Sequence, residues 1–164
     1  MAVIGWIDAF HDERQSGTTS TVEIRSAKLY ACFGGSRQLL ADGIVRMDGT
    51  VTGGIVTKTP WWGATAETFT NSYASGIVTF HPNERPTRIW HAWNSLWPRA
   101  SIPAGATSVF FVVEVRVSGP AWFRAGIDYW VAPDDTTTNL EAGASDWIQA
   151  SQDWQTIVVG SSCP

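Results

Sequence analysis

Apolar and polar positions alternate most regularly between Thr107 and Val131, where TSVFFVVEVRVS and AWFRAGIDYWV flank a short turn at Ser118, Gly119 and Pro120. Alternation of period two is the pattern of a half-buried strand. Joined as a hairpin, the two runs oppose Val117 to Ala121, Val115 to Phe123, Val113 to Ala125, Phe111 to Ile127 and Val109 to Tyr129, which makes one face a core. The other face then opposes Arg116 to Trp122, Glu114 to Arg124, Phe110 to Asp128 and Ser108 to Trp130. A slip of one residue would set valines against charges, so the pattern selects this register.

Further strands are predicted at Val3 to Phe10, Thr21 to Phe33, Gly43 to Met47, Thr50 to Lys58, Gly76 to His81, Arg88 to Asn94 and Asp153 to Val159. Turn residues punctuate them at Ser16-Gly17, Gly34-Gly35, Asp48-Gly49, Gly53-Gly54, Pro82-Asn83, Pro103-Ala104-Gly105 and Pro133-Asp134-Asp135. Asp48-Gly49 suits a two-residue hairpin. No segment carries a helical period. Short strands at this spacing predict an all-β antiparallel sandwich of two sheets, jelly-roll-like, with a barrel as the alternative. No threefold repeat supports a trefoil. Residues 1–164 form a single β-sandwich domain in this reading, since the chain is too short for two comfortable cores. Thr59 to Tyr73 lacks clean alternation and reads as a surface loop carrying Trp61 and Trp62, further candidate ligand-binding residues that point opposite ways, so that one can anchor the loop while the other faces outward.

Composition narrows the partners. Charged residues are 16% of the chain, below the usual quarter or so, and the net charge is −4 with no basic run. Nucleic acid is therefore not an expected partner, because phosphate-tracking surfaces concentrate Lys and Arg. No apolar run is long enough for a transmembrane segment. MAVIGWIDAF lacks a basic start and runs into HDERQ, so it reads as a strand rather than a signal peptide. Ten Trp in 164 residues exceed what the interior of a small domain needs. Trp6, Trp90 and Trp154, inside apolar stretches, read as core or half-buried. The remainder include candidates for contact with a ligand.

A pyranose ring offers an apolar face to an indole and a rim of hydroxyls to planar polar side chains. The polar face of the Thr107 to Val131 region supplies both, with Trp122 and Trp130 as stacking surfaces and Arg124, Asp128, Glu114 and Arg116 as hydrogen-bonding groups. Trp122 and Trp130 stand roughly 26 Å apart along a regular strand, so they would contact separate sugars of an extended ligand. The structural alternative is a solvent-facing sheet with a Glu114/Arg124 ion pair and an Arg116/Trp122 cation–π contact. His91, flanked by apolar residues, reads as a buried hydrogen-bonded histidine. His11, His81 and His91 do not have zinc-ligand spacing. Asp134, Asp135, Asn139 and Glu141 crowd one acidic loop and are the candidate ligands of a structural calcium ion, although the loop does not match the twelve-residue helix-flanked pattern. Cys32 and Cys163 are either bridged, or a buried thiol and a terminal free one.

The segments IPAGATSV, FRAGIDYW and SDWIQASQDWQTIVV resemble those of non-catalytic β-sandwich carbohydrate-binding modules and bacterial-type lectins. In many such modules a phrase like Asp153-Trp154-Gln155-Thr156 opens the final strand. The resemblance implies a sandwich fold, an oligosaccharide or polysaccharide ligand, possible calcium and a secreted or cell-surface location. The chain reads as a free-standing lectin, with a homo-oligomer as an option. An enzyme is not expected, but the alternative is a polysaccharide-active hydrolase or lyase, for which Glu114 and Asp128 would be the carboxyl pair. A further alternative is a surface-recognition toxin or assembly protein.

Overall fold

Among the described residues thirteen strands succeed one another: β1 Ala2–His11, β2 Thr21–Phe33, β3 Ser36–Asp42, β4 Ile55–Lys58, β5 Glu67–Ala74, β6 Ile77–Phe80, β7 Thr87–Ile89, β8 Arg99–Ser101, β9 Ser108–Ser118, β10 Ala121–Trp130, β11 Asn139–Ala144, β12 Ile148–Gln149 and β13 Gln155–Ser162. The structure, a computed structural model, describes residues 1–12, 14, 17–42, 55–58, 67–74, 76–81, 87–89, 99–130, 139–149 and 151–164. Among these the regular structure is β, and no helix is long and apolar enough to cross a membrane.

The strands form two antiparallel sheets that do not close into a barrel, so the fold is a two-sheet β-sandwich. The first sheet runs β11-β10-β1-β7, with β12 also on β10 and β8 also on β1. The second runs β13-β9-β2-β6-β5-β4, with β3 also on β2.

The hairpin expected between β9 and β10 does not form. β10 pairs with β1, setting Trp122 beside Phe10, Arg124 beside Asp8 and Asp128 beside Ile4. β9 pairs with β2 and β13, setting Arg116 beside Glu23 and Glu114 beside Ser26 and Thr156. The chain thus changes sheets at Ser118-Gly119-Pro120. Gly119 has a φ of 81°, and a Cβ there would run into the Thr19 carbonyl, so the crossing is built on glycine. The result is a nested pairing, β1 with β10 and β2 with β9, in the manner of a jelly roll.

The face assignment survives this change of partners. Val109, Phe111, Val113, Val115 and Val117 line the inner face of the second sheet, and Ala121, Phe123, Ala125, Ile127 and Tyr129 that of the first. They meet across the sandwich with Val3, Ile7 and Ala9 of β1 and Ala27 and Leu29 of β2. The Phe111 ring fills the space above Gly5, where an added Cβ would lie 2.5 Å from it. In β2 the buried positions are Val22 and Ile24, then Ala27, Leu29 and Ala31. The change of phase is a β-bulge between Ile24 and Ser26, which inserts Arg25 as an extra residue.

Glu67 to Tyr73, expected as part of a loop, belongs to β5, held by backbone pairing to β4 and β6. β3 and β11 were not signalled by alternation. Residues 36–39 of β3 are all exposed, and only its far end, Leu40 and Ala41, packs against the core. Trp61, Trp62, the Asp48-Gly49 turn, Trp90 and His91 lie outside the described residues.

Candidate functional site

Each sheet has a second face, turned away from the shared core, and the candidate binding residues divide between these two faces. Trp122, Arg124 and Asp128 stand on the first sheet, together with the backbone of Trp130. Glu114 and Arg116 stand on the second. A single surface holding all six does not exist.

On the first sheet a continuous chain of contacts runs between two carboxylates. At its buried end, Asp128 and Trp6 are both fully inaccessible, and the Trp6 indole N–H donates to Asp128 Oδ1 at 2.8 Å. The Trp6 ring lies against Gly126, its register partner on β10. The Arg124 guanidinium comes next, 5.3 Å from the Trp6 ring centre and 4.7 Å from that of Trp147. Trp147 meets Phe10 edge to face at 5.0 Å, and Phe10 stacks on Trp122 with ring centres 6.5 Å apart. Trp122 in turn lies near the Asp12 carboxylate, whose pKa it lowers as the smallest of several influences.

Asp12 sits where the chain leaves β1, its N–H donating to the Pro120 carbonyl at 2.8 Å. Arg14 grips its carboxylate with a fork, Nε to Oδ1 at 2.9 Å and Nη2 to Oδ2 at 2.6 Å. That fork, the Arg14 backbone N–H and the Trp122 indole hold the Asp12 pKa at about 2. Gln149, exposed on β12, is the register partner of Trp122. The accessible end of the chain therefore gathers half-buried indoles with a carboxylate, a guanidinium and an amide. Asp128, at the inaccessible end, orients Trp6 and is out of a ligand's reach.

The face of the second sheet is organised around Trp154. Arg25 lies 4.4 Å and Arg116 4.8 Å from its ring centre. Each guanidinium is tied to a carboxylate, Arg25 Nε to Glu114 at 3.0 Å and Arg116 to Glu23 by a fork whose Nη2 arm measures 3.1 Å. Glu114 thus answers Arg25, the bulge residue, rather than Arg124. Ion pairs at this exposure are screened by solvent, so the network orients side chains more than it stabilises the fold. Because Glu114 and Asp128 belong to different sheets, packed roughly 10 Å apart, and face away from each other, they cannot flank one glycosidic bond.

Sequence reasoning did not find Phe10, Asp12, Arg14, Trp147 and Gln149 on the first sheet, or Glu23, Arg25 and Trp154 on the second. Trp154 carried a signal, one residue before the alternating strand β13. Asp12 and Arg14 carried none, because their place depends on which strand β10 adopts as neighbour. For the calcium expectation, Asp134 and Asp135 lie outside the described residues, as do the side chains of Asn139 and Glu141, whose backbones belong to β11. Among the described residues no group of three or more His, Cys, Asp or Glu gathers as a metal site. No family, no curated protein and no solved structure matches this chain.

Proposed function

We propose that the protein binds saccharides, with the accessible end of the first sheet's aromatic chain as the contact surface. The observation that supports this reading is the setting of Trp122. Its indole is half-buried, backed by Phe10, close to the Asp12 carboxylate and bordered by Gln149. An aromatic face backed by a second ring loses little freedom when a sugar stacks on it, which favours binding. The Asp12 carboxylate, the Arg14 guanidinium and the Gln149 amide are planar groups that can bridge neighbouring hydroxyls. Trp147 extends the surface towards Arg124, so the ligand would be an oligosaccharide lying across the strands.

A glycan-array screen of the wild type beside Trp122→Ala and Trp147→Ala, each shown by circular dichroism to be folded, tests the reading. Selective binding lost or weakened at least tenfold in Trp122→Ala is the expected result. A wild type that binds no glycan would overturn it.

A further inference from the structure

Beside Trp154 the second sheet carries a cleft of about 240 Å³ lined by Glu23, Arg116, Val117, Ser118 and Gln152. Its parts are held from several directions. Glu23 and Arg116 are register partners on β2 and β9, locked in a fork. The Val117 N–H donates to the Ser151 carbonyl at 2.8 Å, and the Ser151 hydroxyl accepts from the Asp153 N–H at 3.2 Å. Gln152 therefore stands at the tip of a small turn pinned to the end of β9. Ser118 opens the crossing at Gly119, which is itself packed against Thr19 and Ser20. The cleft is preformed.

Its chemistry selects a class of ligand. Arg116 and Glu23 neutralise one another, so no net charge attracts an ion. The Ser118 hydroxyl and Gln152 amide each donate and accept, which suits a neutral molecule dense in hydroxyl groups. The volume falls below the roughly 300–1,000 Å³ of sites for drug-sized ligands, so the cleft fits one small ring rather than a chain.

We infer that this cleft is a second saccharide site, specific for a single monosaccharide unit, and that one chain is therefore bivalent, with sites on opposite faces of the sandwich. The inference rests on the saccharide-binding reading above. The two sites open on the outer faces of different sheets. They join separate glycans, so a monomer cross-links a glycan-coated surface without first forming an oligomer.

The test is isothermal titration with a panel of methyl glycosides of short oligosaccharides, which can fill the first site whole and the cleft by one unit, together with aggregation of glycan-coated beads by protein confirmed monomeric by ultracentrifugation. Trp122→Ala and the double variant Ser118→Ala/Gln152→Ala are compared with wild type; Ser118 and Gln152 are exposed. The expected result is two equivalents of glycoside in the wild type, one in each variant, and bead aggregation lost in both. One equivalent in the wild type, abolished by Trp122→Ala and untouched by Ser118→Ala/Gln152→Ala, would overturn the second site while leaving saccharide binding intact. One equivalent with the reverse sensitivity would overturn bivalence and move the proposed contact surface to the cleft. No binding by the wild type to any glycoside or to the beads would overturn both readings together.

Discussion

The Tyr129 hydroxyl donates to the Ser162 carbonyl at 2.9 Å, reaching from the inner face of β10 to the edge strand of the opposite sheet. It is a polar tie across the apolar interior of the sandwich, as is the 2.7 Å contact between His11 at the end of β1 and Ser20 just before β2. Burial pushes the Tyr129 pKa up, the hydrogen bond to Ser161 and the nearby Cys163 being smaller influences. Tyr129→Phe keeps the ring and removes the tie, leaving one carbonyl short of a donor. The expected cost is about 1 kcal/mol, read as a lower urea midpoint at unchanged slope. The raised pKa adds a pH dependence. Stability held by the neutral phenol is complete below the ordinary value of 10.0 and is lost as pH rises through the higher folded value. Wild type should therefore lose more stability than Tyr129→Phe above pH 10, and parallel curves would contradict this.

Gly126 lies beneath the Trp6 ring, and a methyl group added there would overlap the indole. Trp6 is held in place by its bond to Asp128, so it has no simple way to retreat. Gly126→Ala is expected to destabilise by about 1–3 kcal/mol through overpacking. Thermal unfolding measures the cost. A change in the indole N–H resonance of Trp6 would show the site of strain. An unshifted melting temperature would mean that the ring moves freely.

Asp12 should report on the accessible end of the aromatic chain. Its carboxyl is held at about 2 against an ordinary 3.8. A folded pKa below the unfolded one gives stability that is present above the unfolded value and lost as pH falls through the folded one, here between about 4 and 2. The indole N–H of Trp122, followed by NMR, should titrate with a midpoint near 2. Because the Arg14 side chain is the largest cause of the depression, Arg14→Ala should raise that midpoint towards 3.8. A wild-type midpoint already at 3.8 would mean that the fork does not persist in solution.

Cys32 and Cys163 should both titrate as free thiols. Thr107 stands between them, its N–H donating to the Cys32 carbonyl at 2.8 Å and its carbonyl accepting from the Cys163 N–H at 3.0 Å. A strand between them separates the two by roughly 10 Å, beyond the roughly 7 Å Cα spacing a disulfide tolerates. Both are free in the structure. Ellman titration in denaturant without reductant should find two thiols per chain. Finding none would show that the C-terminal segment moves to reach Cys32.

Alternation along the chain made the inner and outer residues of β9 and β10 legible, down to Tyr129 facing the core and Trp122 facing away from it. It could not make their partners legible, because a period of two fixes the face of a strand but not the sheet it joins. Ser118-Gly119-Pro120 is short enough for a hairpin and equally able to arch between sheets. What separates the two is the packing of Gly119 against Thr19 and Ser20, a contact across the fold. The candidate site inherited the same ambiguity. Trp122 and Arg124 share a face in both arrangements, whereas Glu114 and Arg116 moved to the other side of the molecule with their sheet. The bulge at Arg25 was written in β2 as a break in alternation after Ile24, and it delivers the cation that Glu114 uses.

The nested pairing also sets a timetable for biosynthesis. β1 finds its longest partner in β10, and Trp6 meets Asp128 across 122 positions of chain. While a ribosome is still extending the chain, β1 and β2 can pair with β7, β8, β3 and β6 along one edge, but the edge of each that belongs to β10 or β9 and the core face must wait until those strands emerge. Closing so large a loop makes productive folding slow. During that delay, nascent chains are vulnerable to pairing with one another, and chaperone supply should govern the yield of soluble protein more strongly than the stability of the finished sandwich does.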